Sequence, residues 1–347
     1  MTVSQRRRSA GWRSFLLATA AAMAGLAAIN HLAARRAERR HLPQGRFLEI
    51  DGVRLHYVDR GAGPTIVLLH GNGAMIEDFA ISGLFDSLAQ RYRVVAFDRP
   101  GFGHSTRPRR RHWTPATQAE LIGAALHELG VEQAIVLGHS LGTLVALTLA
   151  FAEPELVEGL VLVSGYYFPV PRWDLLLPAP YALTGIGDVL RYTVGPLFAR
   201  LLGPLVVKQA FAPSAVTPAF AARFPGSLSV RPSQLRAFAV DALLMGPTAA
   251  LLAPRYGELA VPDAVLTGPE DMVVDWTRHA RPLARVLCRA RLQVTAIGGH
   301  MQQHLAPEAI EDAVGWVLAE ACPADRVAAG HAEFGPESKL FAGATGC

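Results

Sequence analysis

Ala134-Ile135-Val136-Leu137-Gly138-His139-Ser140-Leu141-Gly142-Thr143 is the stretch that decides the fold. Its four leading apolar residues read as a short buried strand, and Leu141 to Ala152 reads as an apolar helix. A strand that stops at G-x-S-x-G and restarts as a helix holds its serine on a sharp, strained turn. The hydroxyl then stands clear of the backbone at the helix N-terminus. Gly138 and Gly142 suit the turn because a side chain at either place would collide with the neighbouring strand or helix.

The same rhythm extends on both sides. Arg46 to Ile50 and Arg54 to Val58 alternate in character around Asp51-Gly52, which predicts an antiparallel hairpin. Thr65 to Leu69 is continuously apolar, as expected of a central strand covered on both faces. A helical stretch from Ile76 to Gln90 precedes a strand at Arg93 to Phe97. Thr114-Pro115 then predicts an N-cap with proline at the first helical position, for a helix to about Leu129. A strand at Leu160 to Val163 follows the Leu141 helix. Strands separated by helices predict right-handed crossovers in an α/β fold with a mostly parallel, doubly wound sheet.

The alternation breaks at Gly165. From Tyr166 to Gly257 the chain is rich in proline, with amphipathic pieces at Asp188 to Leu202 and Ser233 to Met245, and reads as a helical lid. Strands resume at Ala264 to Leu266 and at Leu292 to Thr295, with a helix near Trp276 to Cys288 between them and a last one from Pro307 to Glu320. The expected organisation is a basic leader at 1–46, an α/β core at 47–164 and 258–320, a lid at 165–257, and a loosely held tail at 321–347.

The leader carries nine of the arginines and one glutamate within its 46 residues, so the body that follows is slightly acidic although the whole chain is +4. A nucleic-acid partner is therefore not expected. From Ser14 to Ala34 there are 21 uncharged residues, close to the roughly 20 that cross a bilayer as a helix. Arg35, Arg36, Arg39 and Arg40 follow directly and favour a retained single-pass anchor; an exported protein with a cleaved signal is the rival. Four arginines on each side leave the orientation open. Cys288, Cys322 and Cys347 lack metal-type spacing and read as isolated thiols, with Cys288 half-buried on a helix.

Three further sites fit the serine. His70-Gly71-Asn72-Gly73 follows the strand ending at Leu69, where glycines allow a backbone N–H to face the nucleophile. The candidate oxyanion donors are the N–H groups of Asn72 and Leu141. Gly268-Pro269-Glu270-Asp271 follows the strand at Leu266, and Gly298-Gly299-His300 follows the last strand. The chemistry explains these residue types. A serine hydroxyl is a weak nucleophile near neutral pH, so His300 takes its proton from Ser140, and Asp271 holds the ring in the right tautomer. Glu270 and Asp275 compete with Asp271. His304 competes with His300, although within the following helix it reads as a surface histidine.

This pattern resembles the α/β-hydrolase superfamily over about Phe47 to Glu320. Asp98-Arg99-Pro100-Gly101-Phe102-Gly103-His104-Ser105 is similar to the turn after the fourth strand in the epoxide hydrolase, haloalkane dehalogenase and cofactor-free haloperoxidase branch. The resemblance gives that turn an architectural role. Epoxide hydrolases and dehalogenases of the branch carry aspartate where this chain has Ser140, and serine suits acyl carbons. The resemblance thus implies a serine esterase or lipase-like hydrolase. C–C or C–N hydrolysis, perhydrolysis, and non-catalytic ligand binding on the same fold are the alternatives. Tyr166, Tyr167, Phe168, Trp173, Phe198 and Phe211 suggest an apolar acyl substrate or the lid's own core, whereas Arg191, Arg200 and Lys208 read as a solvated face. No P-loop, dinucleotide fingerprint or metal-ligand cluster occurs, so neither cofactor nor metal is implied.

Overall fold

A computed structural model describes residues 3–321, with side chains from residue 12 onward. The expected tail beyond Ala321, including Cys322 and Cys347, lies outside the described residues. Eight strands form one sheet: β1 (Arg46–Ile50), β2 (Val53–Arg60), β3 (Thr65–Leu69), β4 (Arg93–Phe97), β5 (Ala134–His139), β6 (Val157–Val163), β7 (Asp263–Thr267) and β8 (Ala290–Val294). Their spatial order is β1-β2-β4-β3-β5-β6-β7-β8. The β1–β2 hairpin and the β2–β4 pair are antiparallel, and the remaining pairs are parallel. Asp51 and Gly52 take φ of +50° and +73°, as a two-residue hairpin turn with right-handed twist requires.

Continuous apolar runs occupy the centre because both faces of the sheet are covered. Every residue of β3 and β5 is buried. Alternate residues serve opposite cores: Val67, Leu69 and Val136 join one cluster, Ile66, Leu68 and Ile135 the other. Each such side chain contributes roughly 1.5–3 kcal/mol by leaving water. One face carries α4 (Pro115–Glu128) and α5 (Gly142–Ala152), the other α2 (Ile76–Ser82), α3 (Leu84–Ala89) and α13 (Pro307–Ala321). Thr114 caps α4 as expected, its hydroxyl oxygen accepting from Thr117 N–H at 3.1 Å. The single helix expected over Ile76 to Gln90 is instead broken at Gly83, whose φ of +85° ends α2 before α3 begins.

The segment between β6 and β7 is helical, with α6 (Ile186–Tyr192), α7 (Gly195–Phe211), α8 (Pro218–Arg223), α9 (Gly226–Ser229) and α10 (Pro232–Leu252). Tyr166, Tyr167 and Phe211 are buried, whereas Trp173 and Phe198 are exposed, together with Leu177, Ile186, Leu201 and Leu205. Arg191 departs from the expected solvated face: it is 2% exposed and bound to Asp188 and the Tyr181 carbonyl.

At the amino terminus α1 runs from Val3 to Arg40. Its apolar part is exposed at Phe15, Leu16, Leu17 and Ile29, whereas Asn30 and Ala37 are buried. Asn30 Nδ2 donates to the carbonyls of Tyr192 and Thr193, which fixes the carboxyl half of α1 against α6. Beyond β7, α11 (Ala280–Val286) is shorter than expected, and α12 (Gln302–Leu305) leads into α13. Cys288 therefore lies past the end of α11 and is exposed. It is disulfide-bonded and not an isolated thiol, and the other two cysteines lie outside the described residues.

Candidate active site

The turn after β5 is built as its glycines dictate. Ser140 takes φ of +53°, a conformation that L-residues rarely hold, and its N–H donates to Val163 O at 2.8 Å. A Cβ on Gly142 would lie 2.1 Å from Leu69 O, and one on Gly138 2.6 Å from Gly142 O. Only glycine allows β3, β5 and α5 to approach so closely. Leu141 N-caps α5 in helical geometry, and its own N–H has no partner among the described backbone hydrogen bonds.

The loop after β3 packs against that turn. A Cβ on Gly71 would sit 3.1 Å from Ser140 Cβ, so the Gly71–Asn72 backbone borders the serine. Asn72 is anchored through Nδ2 to Phe238 O of α10 at 3.0 Å, and its N–H likewise has no partner among the described backbone bonds. Neither the Asn72 nor the Leu141 N–H is taken up by the backbone hydrogen bonds of the described residues, so both remain candidate donors beside Ser140.

Arg99 holds this loop. It is fully buried; its N–H donates to His70 Nε2 at 2.9 Å, and its guanidinium donates to His70 O at 2.8 Å and Gly71 O at 3.1 Å. Because His70 Nε2 accepts, Nδ1 is the protonated nitrogen and donates to Gly71 O. Burial foremost, then Arg99, lowers the His70 pKa to about 4, which keeps the ring neutral. The Asp98-to-Ser105 turn is scaffolding in the same sense. Asp98 accepts from Ile76 N–H, His104 N–H and His56 Nδ1, while Ser105 donates to Asp98 O.

His300 and Asp271 meet at the other side of the serine. His300 Nδ1 donates to Asp271 Oδ2 at 2.8 Å, and Asp271 Oδ1 accepts from Val273 and Val274 N–H, both at 2.8 Å. In the neutral ring that bond places the proton on Nδ1 and makes Nε2 the acceptor. The competing acids point elsewhere: Glu270 is exposed, and Asp275 accepts from Thr277 N–H and Oγ1. His139, next to Ser140, donates from Nε2 to His300 O at 3.1 Å, and the two rings lie 5.0 Å apart. Burial foremost, then His300, takes the His139 pKa down to about 4, so this ring is neutral too. Ser140 and His300 therefore share one rim, although among the described residues no hydrogen bond joins Ser140 Oγ to His300.

His304 is not a surface histidine. Its side chain is buried, with Nε2 2.8 Å from Asp78 Oδ1, and Gln303 Nε2 donates to Asp78 Oδ2 at 2.7 Å. Asp78 on α2 thus ties α12 beneath the rim. Arg99 fits the architectural role expected of its turn, whereas Asp78 and Gln303 escape a reading of the sequence because 225 residues of chain separate them. Ser140 and His300 are both nearly fully buried, and His300 N–H donates at 3.0 Å to Ala210 O of α7 in the helical segment between β6 and β7. Among the described residues no cluster of His, Cys, Asp and Glu fits a metal ion.

Residues 64–307 match the family model of the alpha/beta hydrolase fold. The 2-hydroxymuconate semialdehyde hydrolase of Pseudomonas sp. (strain CF600) is 30% identical over 288 residues, covering 80% of this chain and 94% of that one. The dihydrolipoyllysine-residue acetyltransferase component of the acetoin cleaving system of Cupriavidus necator is 39% identical over 119 residues, which span only 31% of its length. Among solved structures, a bacterial membrane phospholipase A superimposes with a TM-score of 0.61 at 23% identity, covering 91% of this chain and 99% of that one. At that identity the likeness is one of fold.

Proposed function

This chain belongs to the alpha/beta hydrolase family, and on that premise we propose that it is a membrane-associated serine hydrolase of apolar esters or related acyl substrates. The observation that carries the reading is the buried Asp271–His300 pair at the rim where Ser140 stands on its strained turn. Ser140 Oγ attacks the acyl carbon as its proton passes to His300 Nε2. Asp271 stabilises the resulting imidazolium. The oxyanion accepts from the N–H groups of Asn72 and Leu141. His300 then returns the proton to the leaving alcohol, and an acyl-enzyme remains on Ser140. Water, deprotonated by His300, attacks the ester carbon; the acid leaves and Ser140 regains its proton.

The apolar substrate and the membrane are supported by surface chemistry. Exposed Trp173, Leu177, Ile186, Phe198, Leu201 and Leu205 lie on the segment whose α6 packs against α1, and α1 itself exposes apolar Phe15, Leu16, Leu17, Ile29 and Leu32. A single-pass anchor at about residues 14–34 is the form of attachment this favours.

A second reading, C–C bond hydrolysis, is favoured by the 30% identity to the 2-hydroxymuconate semialdehyde hydrolase over 94% of that protein. A panel of p-nitrophenyl esters from acetate to palmitate, run beside a 2-hydroxy-6-oxo-dienoate, separates the two. Turnover of medium or long esters that vanishes in Ser140→Ala and His300→Ala supports the acyl reading. Turnover of the dienoate alone supports the second, and no turnover by folded protein of any substrate contradicts both.

A further inference from the structure

Away from Ser140, a cavity of about 600 Å³ opens between the end of α1, the Gly101–Arg109 loop, α6 and the start of α10. Six arginines line it, Arg54, Arg107, Arg109, Arg191, Arg231 and Arg236, against Glu38 as the one lining acid. Five of them already have protein partners, Arg54 among them with Glu49 at 4.0 Å. Arg107 binds Asp241 and the Pro100 carbonyl, Arg191 binds Asp188, and Arg231 binds Glu38 and the Gly103 carbonyl. Arg109, more exposed, shares Asp188 with Arg191.

Arg236 is different. It is half-buried and has neither an ion pair nor a hydrogen bond among the described residues. Partial burial foremost, then the adjacent Arg109 and Arg107, lowers its pKa from the usual guanidinium value. Asp188 offsets part of this but is already shared by Arg109 and Arg191, so a partly buried cation beside two others gains from a further anion. Other polar groups line the same space. Ser233 lies in the first turn of α10, where no side chain caps the helix, and the buried His104 Nε2 has no partner.

We infer that this cavity binds a phosphate-bearing anion, held by the Arg236 and Arg109 guanidiniums over the uncapped first turn of α10. Forked guanidiniums suit a phosphate's several oxygens, and a cavity of this size admits a larger molecule attached to the phosphate. Two sources fit: free phosphate and an anionic lipid headgroup. The lipid source rests on the membrane reading of α1. Ala34 ends the uncharged stretch, and Glu38 follows four residues on, about 6 Å along a helix.

The test uses the full chain in neutral detergent micelles, titrated with inorganic phosphate at ionic strength held constant with chloride and read by calorimetry. A parallel arm places the chain in nanodiscs of phosphatidylcholine, with or without phosphatidylglycerol, and reads Tm. Arg236→Gln and Arg109→Gln are the variants; Arg236→Gln should melt no lower than wild type in chloride, since it removes an unpaired charge. Saturable phosphate binding weakened about tenfold or more by either variant supports the site with free phosphate as ligand. A rise in Tm confined to phosphatidylglycerol discs, and lost in the variants, supports the lipid source. Absence of both effects, or effects equal in wild type and variants, overturns the inference. Each readout is binding, so the outcome is independent of whether Ser140 is a nucleophile.

Discussion

Replacing Asp271 by asparagine separates the proposed triad from a mere cluster of polar groups. Asp271 Oδ1 accepts from Val273 and Val274 N–H, each at 2.8 Å, and these two donors determine which side of an amide can face them. Only the amide oxygen can. The amide nitrogen must then turn towards His300 Nδ1, where the carboxylate Oδ2 accepted at 2.8 Å. Facing a donor, Nδ1 gives up its proton and the ring protonates at Nε2, so it can no longer take the proton of Ser140. The expected loss is about 10⁴-fold in kcat, or about 5 kcal/mol of transition-state stabilisation. Because shape is kept, KM should change little, and the lost charge-assisted bond costs roughly 1.5–3 kcal/mol of stability. Initial rates on a p-nitrophenyl ester, with a thermal melt of the same sample, measure both. Glu270→Gln and Asp275→Asn serve as controls and should leave the rate within about twofold, since both acids are exposed and Asp275 is bonded to Thr277. A loss below tenfold in Asp271→Asn, or an equal loss in Asp275→Asn, would refute the assignment.

Three other perturbations probe the scaffold. Arg99 and Arg107 converge on buried Asp241 at 2.7 and 2.8 Å, so Asp241→Asn should lower stability by about 3–5 kcal/mol in urea denaturation. Because Arg99 also holds His70 and Gly71, kcat should fall as well, and a cost below about 1 kcal/mol contradicts the buried-network account. Gly142→Ala drives a methyl to within 2.1 Å of Leu69 O and should cost at least about 1–3 kcal/mol, seen as a lower Tm or insoluble protein. A Tm equal to wild type would mean that the turn relaxes freely. Asp263 is fully buried with both carboxyl oxygens unpartnered, and burial raises its pKa well above the ordinary carboxylate range. With the folded pKa raised, stability is greatest below the unfolded value of about 3.9 and is lost as pH rises towards the folded pKa. Asp263→Asn removes that slope, so its urea midpoint should gain on wild type between pH 5 and pH 8; a constant difference contradicts the reasoning.

The sheet was legible because β3 and β5 are unbroken apolar runs, a pattern set by burial on both faces. The turn at Ser140 was legible because two backbone approaches leave room only for Gly138 and Gly142. Local sequence stops being informative where a side chain's direction is set by a distant partner. Glu270, Asp271 and Asp275 share one loop, and the two valine N–H groups beyond Asp271 turn that carboxylate inward. His304 reads as a helix-surface residue until Asp78, 226 residues earlier in the chain, is seen beside it. Arg191 has the spacing of a solvated face, but the Tyr181 carbonyl and Asp188 draw it inside. Gly83 splits a helix that hydrophobic periodicity carries straight through, since periodicity does not register one left-handed residue. The Cys288 disulfide was likewise invisible to spacing alone.

Reaction of the folded full-length protein with a fluorophosphonate, followed by peptide mass mapping, tests nucleophilic catalysis by Ser140 most directly. The account predicts one stoichiometric adduct, on the peptide that contains Ser140, lost in Ser140→Ala and strongly slowed in His300→Ala. A folded protein that stays unmodified, or carries its adduct on another serine, would contradict it.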